Sequence, residues 1–428
     1  MGVQDLERDG LVIRPADGAD GIDGVAPRLV AVPRSVEEAA QVLKAAADDG
    51  LAVAFLGGGS KLGLGNPPER LDLVVETRGL DQVMEHAAGD LVVTAQAGVP
   101  LARLQEALGP AGQQLALDPP EPRATLGGVV AANASGPRRL RYGTVRDLLI
   151  GVTVVLADGT VARAGGKVVK NVAGYDLAKL FCGSLGTLGM VAEVIFRLHP
   201  VPAAAAVVTL AVEGPAQAGQ AVRELQRTTL EPSAVELTVD EFGWPGRLTV
   251  LFEGIQPGVE AQAAAAAELL GWVGEAAVAG PGGVEAALEQ LGARPFEKAE
   301  YALKATFPPA ELAGVLEDLV GGRLRFAGVG GVSVHAATGV AWVASDLREG
   351  DLPADSPAFP GAVRGITEAR ERLAARGGSL VLVKGSPELK RAVDVWGPPG
   401  DAVGLMRRVK ERFDPDRRLS PGRFVGGI

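Results

Sequence analysis

The chain has a single cysteine, Cys182, among 428 residues. One thiol cannot form an internal disulfide framework, nor supply the cysteines of an iron–sulfur cluster or a structural zinc site. Histidine is almost as rare. His86, His199 and His335 stand far apart, so no metal centre is expected. Aromatic residues make up 4%, which leaves a 47% hydrophobic fraction to be built mainly from Ala, Val and Leu. No uninterrupted apolar run approaches the ~18 residues of a membrane span. The opening Met1-Gly2-Val3-Gln4-Asp5-Leu6 lacks the apolar core of a signal peptide. A cytoplasmic protein is expected, associated with a membrane only through partner subunits. Positive charge is also in deficit, 42 Lys and Arg against 52 Asp and Glu. That balance excludes a nucleic-acid partner, whose phosphates require clustered cations. One basic cluster, Arg138-Arg139-Leu140-Arg141, reads either as a solvated loop or as a phosphate clamp or subunit contact.

Glycine, by contrast, is abundant, with 59 residues and no collagen-like period. Glycine-rich segments recur along roughly the first 200 residues: Leu56-Gly57-Gly58-Gly59-Ser60, Thr125-Leu126-Gly127-Gly128 and Gly183-Ser184-Leu185-Gly186-Thr187-Leu188-Gly189. Glycine lets backbone approach a ligand closely, and consecutive amides can then converge on an anion. Several such loops in one region imply an extended, phosphate-bearing ligand.

The local patterns place these loops. Leu29–Val32 reads as a strand, Ser35 with Glu38 as a capping box for a helix over Val36–Asp48, and Leu51–Leu56 as the strand that enters the first loop. Asn66-Pro67-Pro68 follows, so no helix opens on the glycines. Position 62 is leucine and no Gly-Lys-Ser/Thr occurs, which excludes both a Rossmann fingerprint and a Walker A loop. Further strands are expected at Leu71–Val75, Leu91–Ala95 and Met190–Leu198, with a short helix over Val99–Leu108. Ile150–Leu156 should turn at Asp158-Gly159 into Val161–Ala164 as a hairpin. Composition shifts after Pro202. Strand–helix repeats with alanine-rich helices (Gly258–Leu270, Pro309–Leu319) suggest an α+β domain of the split βαβ, ferredoxin-like kind. The expected organisation is 1–202, 203–395, and a segment 396–428 that returns to the first domain.

The ordered set resembles the flavin-binding domain shared by vanillyl-alcohol oxidases, aldehyde-type oxidases and para-cresol methylhydroxylase. Its elements are Gly57–Ser60, Asp118-Pro119, Ala124–Gly128, Asn133–Gly136, Tyr142-Gly143 with Arg146-Asp147, and Gly183–Gly189 followed by Glu193-Val194. Lys170-Asn171-Val172-Ala173-Gly174-Tyr175-Asp176-Leu177, Val393–Gly397, and Phe413-Asp414-Pro415 with Ser420-Pro421-Gly422-Arg423 are similar to the FAD-linked 2-hydroxy-acid oxidases. Among these the similarity is to the shorter FAD-binding subunit of bacterial glycolate oxidase. The resemblance implies FAD as cofactor, with Gly57, Gly58, Gly59, Ser60 and Lys61 at the pyrophosphate. Thr125, Gly127 and Gly128, as a second strand, would pack against the same phosphates. Asp118, Pro119, Ser135, Gly136, Tyr142, Gly143 and Val194 complete the implied set, Val194 reading the adenine. Covalent members attach flavin through a histidine in or near the first loop. Ser60 stands there in this chain, so FAD is expected to be noncovalent.

Oxidation of a 2-hydroxy acid needs a cation for the carboxylate and a base for the hydroxyl. Full catalytic subunits resembling this family carry clustered histidines, which this chain lacks. Lys304, Lys384 and Arg423 are the candidate anion clamps. His335 is the candidate base, or else a packed strand residue. Lys170 and Tyr175 either approach the flavin or pack the Gly174 turn, and Cys182 reads as a small buried hydrophobe. The expected function is an FAD subunit passing electrons to a partner iron–sulfur subunit, alongside a catalytic FAD paralogue. A self-sufficient FAD-dependent oxidase or dehydrogenase and a non-catalytic, FAD-holding stabilising subunit are the alternatives.

Overall fold

The structure is a computed structural model, and it describes residues 2–167, 175–280, 284, 296, 298–320 and 329–428. The expectations attached to Lys170, Asn171, Val172, Ala173 and Gly174 lie outside these residues. The chain forms two compact units. One comprises Met1–Ser135, Gly143–Val201 and Pro398–Ile428, the other Gly136–Tyr142 and Pro202–Gly397. Among the described residues no helix is long and apolar enough to cross a membrane.

In the first unit, the Ser35 hydroxyl accepts the Glu38 amide at 3.1 Å and starts the helix Val36–Asp48. The Glu38 carboxylate turns back one residue further than a capping box requires, accepting the Arg34 amide at 2.7 Å. Val36, Ala39, Val42, Leu43 and Ala46 recur at helical spacing and form the buried face. Strands Leu29–Val32 and Val53–Leu56 flank this helix in sequence but do not pair with each other. Leu73–Glu76 lies between them, parallel to both, with Val74 opposite Val30 and Ala54. A central parallel strand is covered on both faces, and all four of its residues are buried. Val12–Pro15 completes this sheet as the antiparallel edge next to Leu29–Val32.

A second, five-stranded antiparallel sheet runs in the order Val83–Ala87, Val92–Gln96, Met190–Arg197, Leu149–Val155, Val161–Gly165. The last two strands form the expected hairpin, with Gly159 at φ +84 in its turn. Leu126–Ala132, expected to bring a strand to the phosphates, is instead an α-helix. Its run of small apolar residues fits either state. Tertiary packing decides: the Gly127 amide donates to the Ala97 carbonyl at 2.7 Å, and a Cβ at Gly127 would fall 2.7 Å from that of Ala97. Asn133, left-handed at φ 46, ends the helix.

In the second unit an eight-stranded antiparallel sheet is built from two βαββαβ halves. In the first half the strands lie in the order Ala277–Ala279, Ala204–Val212, Gly243–Gly254, Ala234–Asp240. In the second the order is Val329–His335, Val340–Ser345, Ala302–Thr306, Ser379–Lys384. Each half has the same 4-1-3-2 strand order, and the halves join where Glu236 pairs with His335 and Leu237 with Val334. Helices Pro215–Gln226, Gln256–Leu269, Leu312–Val320 and Phe359–Ala375 pack on one face, against Val208, Leu237, Val250, Phe252, Val334 and Val343. Alternation sends Glu236, Thr249, Glu253, Ser333, His335 and Trp342 to the other.

Candidate functional site

The site is a cleft in the first unit, lined by the first glycine loop, the start of the helix Leu126–Ala132, residues Leu185, Gly186 and Gly189–Val191, and Arg423. Its shape depends on specific glycines. A Cβ on Gly57 would fall 2.2 Å from the Thr125 hydroxyl oxygen, and one on Gly58 only 1.6 Å from the Arg123 carbonyl oxygen. Gly59 adopts φ +75, which only glycine takes without strain. The strand end therefore presses directly on residues 123–125, and the peptide groups of the loop face the cleft without side chains between them. On the opposite wall Leu185 is held at φ +51, a strained conformation for a residue with a Cβ.

Thr125 is 2% exposed, and its hydroxyl oxygen has no hydrogen-bond partner within the protein. Buried polar atoms are nearly always paired, so an orphaned oxygen on a cleft wall marks where a ligand polar group belongs. Glycine amides, a side-chain-free cradle and a buried hydroxyl together suit a phosphate-bearing ligand. FAD fits these residues. Among the described residues there is no cluster of His, Cys, Asp or Glu that could hold a metal ion.

The C-terminal segment is tied into the same unit. Backbone bonds from Val53 to Arg418 (2.7 Å) and from Ser420 to Val53 (2.8 Å) lay the tail along the strand that feeds the glycine loop. Behind it, the Lys410 ammonium donates to the Thr187 carbonyl (2.8 Å), the Leu419 carbonyl (2.8 Å) and the Asp414 carboxylate (2.7 Å). Asp414, fully buried, also accepts the Leu419 amide at 2.7 Å. Burial pushes the Lys410 pKa down while Asp414 opposes the shift. This ion pair joins the helix Val403–Phe413 to the Gly186-Thr187 segment of the cleft wall. Sequence reading did not single out Lys410. The signal was a lysine four residues before the aspartate of Phe413-Asp414-Pro415. Thr77 was also missed: it lines the cleft and donates to the Leu56 carbonyl at 3.3 Å.

Of the residues expected at the cofactor, Gly57, Gly58, Gly59, Ser60, Lys61, Thr125, Gly127 and Gly128 line the cleft. The Lys61 ammonium is paired with Glu121. Asp118, Pro119, Ser135 and Gly143 belong to the same unit but stand outside the cleft wall, and Val194 is buried in the five-stranded sheet opposite Ala95 and Val152. The Ser135 hydroxyl accepts the Val145 amide at 3.4 Å. Gly136 and Tyr142 pack with the second unit. There Arg138 forks onto Glu253 (2.7 and 3.2 Å), Arg141 reaches the Glu253 carbonyl, and both guanidinium groups flank the Tyr142 ring. Arg138 and Arg141 therefore brace the second unit internally. Burial, reinforced by Glu253, raises the Tyr142 phenol pKa.

The candidate catalytic residues separate. Arg423 lines the cleft, whereas Lys304, His335 and Lys384 lie on the second unit's sheet. His335 is buried, its Nδ1 donating to the Glu236 carboxylate at 2.7 Å and its ring 4.5 Å from that of Trp342. Lys304 lies 5.9 Å from the Trp342 ring centre, and Lys384 pairs with Glu349 at 3.3 Å. Tyr175 is almost fully exposed. Cys182 is half-buried, donates to Asn133 Oδ1 at 3.4 Å, and has its thiol pKa pushed up to about 11 by burial. A thiol held neutral in this way is inert.

The glycine cradle on a mixed sheet, with the C-terminal tail returning beside it, defines a flavin-nucleotide-binding fold outside the Rossmann class. Residues 27–165 match the FAD binding domain model, and residues 398–424 match that of FAD linked oxidases, C-terminal domain. In these stretches the chain is similar to FAD-linked oxidases, which supports FAD as its cofactor. It is 35% identical over 211 residues to glycolate oxidase subunit GlcD of Bacillus subtilis, covering 49% of this chain and 45% of that protein. To glycolate oxidase subunit GlcE of Escherichia coli it is 37% identical over 190 residues, covering 44% and 52%. The match thus spans about half the length of these relatives. The solved structure of p-cresol methylhydroxylase shares the fold, with a TM-score of 0.73 at 15% identity over 93% of this chain and 89% of that one.

Proposed function

We propose that this chain holds FAD noncovalently in the glycine-lined cleft and serves as the FAD-binding subunit of a 2-hydroxy-acid oxidoreductase complex. The observation that carries the reading is the cleft itself: Gly57–Gly59 packed on residues 123–125, with the orphaned Thr125 hydroxyl in its wall. The amides of Gly57, Gly58 and Gly59 and the Ser60 hydroxyl would hold the pyrophosphate, and Thr125 would donate to it from the helix side. Ser60, in the loop where covalent relatives would carry histidine, supports dissociable flavin. Bound FAD supplies a two-electron acceptor. The chain's own residues bind it, shape the cleft and keep side chains away from the phosphates.

The names of the relatives support a 2-hydroxy acid such as glycolate or D-lactate as the class of substrate. The subunit role rests on composition. One cysteine cannot ligate an iron–sulfur cluster, and among the described residues the histidines join no cluster that could hold a metal ion. A catalytic FAD paralogue and an iron–sulfur subunit would complete the electron path. Anaerobic mixing tests this reading. Glycolate or D-lactate should leave the flavin of the isolated chain oxidised, and bleach it when the longer paralogue and the cysteine-rich subunit are added. Bleaching of the isolated chain at a catalytic rate would instead establish a self-sufficient dehydrogenase.

A further inference from the structure

We propose that the outer face of the helix Val403–Phe413 is a docking surface for an acidic protein, the electron-accepting partner of the complex. This rests on the reading of the chain as a subunit that passes electrons onward. The helix is two-sided. Its inner side is fixed to the cleft wall: Lys410 holds the Thr187 carbonyl at 2.8 Å, and the Phe413 ring meets that of Phe181 edge-on at 5.6 Å. At about 3.6 residues per turn, Gly404, Leu405, Arg408 and Arg412 fall on the side opposite Lys410.

That outer side is uncovered. Leu405 is 58% exposed, with Met406 at 38% on its margin. Gly404, Arg408 and Arg412 are exposed as well. Arg407 is tied down, donating to the Gly426 carbonyl at 2.9 Å. Arg408 and Arg412, by contrast, have no hydrogen-bond or ion-pair partner, and Glu411 on the flank pairs with neither. Like charges four residues apart on a helix repel. The negative end of the helix dipole offsets this for Arg412 but not for Arg408, a turn further in. Two unpaired guanidinium groups beside an exposed leucine thus stand on a chain whose net charge is −10.

Charge and size select the occupant. A second copy docked about a two-fold axis would set these arginines against their own counterparts. A membrane surface calls for a broad apolar face, and here Leu405 has only the edge of Met406 beside it. Carboxylates on an acidic protein match the guanidinium forks, with Leu405 as the apolar centre of the contact. Eleven helical residues span about 16 Å, a footprint of the size that electron-transfer encounters use. Because the inner side of the helix is fixed to the cleft wall, a partner docked on the outer side sits on the unit that carries the flavin cleft.

The probe is the cysteine-rich subunit, bound to the flavin-loaded full-length chain and followed by biolayer interferometry at low and high salt. Arg408→Glu combined with Arg412→Glu should weaken binding at low salt by about tenfold or more, chiefly by slowing association, and flatten its salt dependence. Arg408→Lys combined with Arg412→Lys should retain the salt dependence and most of the affinity. Leu405→Gln should speed dissociation and leave the salt dependence as it is. FAD affinity and thermal unfolding of all these variants should match wild type, since the altered side chains point away from the cleft wall. The proposal is overturned if the charge-reversed chain binds the subunit indistinguishably from wild type, or if it loses FAD and thermal stability in step with binding. It is also overturned if the reversal abolishes binding to anionic phospholipid vesicles, or self-association in sedimentation, while subunit binding stays intact. A wild-type chain that captures neither the cysteine-rich subunit nor the longer paralogue would remove the subunit reading, and this surface with it.

Discussion

Single residues decide whether the cleft exists. Gly58 is the most constrained, because a methyl group there would overlap the Arg123 carbonyl at 1.6 Å. Gly58→Ala should cost about 1–3 kcal/mol through overpacking, measured by urea unfolding, and abolish copurified flavin. Thr125→Val makes the opposite kind of change. It preserves shape and removes a hydroxyl that has no partner in the protein. Stability without flavin should be unchanged or slightly higher, while FAD affinity falls about tenfold, one hydrogen bond's worth. A valine variant that bound FAD as tightly as wild type would remove Thr125 from the site. The glycine pattern made Gly57–Gly59, Thr125, Gly127 and Gly128 legible in the sequence, because only close backbone approach explains glycine at such a density. Thr77 was not legible: a single threonine after a buried strand has many uses.

Elements were legible where periodicity was strong and ambiguous where residues were small. The helix Val36–Asp48 and the hairpin ending at Gly165 follow from cap, spacing and turn residues. The run Leu126–Ala132 does not declare itself, since Gly, Ala and Val fit a strand or a helix. Contact with Ala97 and the left-handed Asn133 settle it. The strand order was equally hidden, because pairing of Leu73–Glu76 between two earlier strands is a tertiary fact. The C-terminal helix Val403–Phe413 acts on the cleft through the buried Lys410–Asp414 pair. Lys410→Met should destabilise the chain by about 3–5 kcal/mol, since it leaves a buried carboxylate without its cation. Chemical denaturation checks this, and Lys410→Met combined with Asp414→Asn should recover a large part of the loss. If the single variant unfolded at the wild-type midpoint, the tail would not be anchored by this pair.

At the scale of the whole molecule, the sequence announced a flavin fold and an α+β partner domain, while the internal duplication of that domain became visible only in its sheet order. The basic cluster at 138–141 shows the limit of reading charge from sequence. Glu253, more than a hundred residues away, accepts Arg138 and Arg141, and no spacing rule brings them together. The same holds for His335, whose partner Glu236 arrives from the strand that joins the two halves. The central claim is that the glycine-lined cleft holds dissociable FAD. Its most direct test is the visible spectrum of the purified chain before and after acid precipitation. A flavin spectrum that passes completely into the supernatant, identified there as FAD, is predicted. A colourless protein that stays so after incubation with FAD, or flavin that remains in the precipitate, would contradict it.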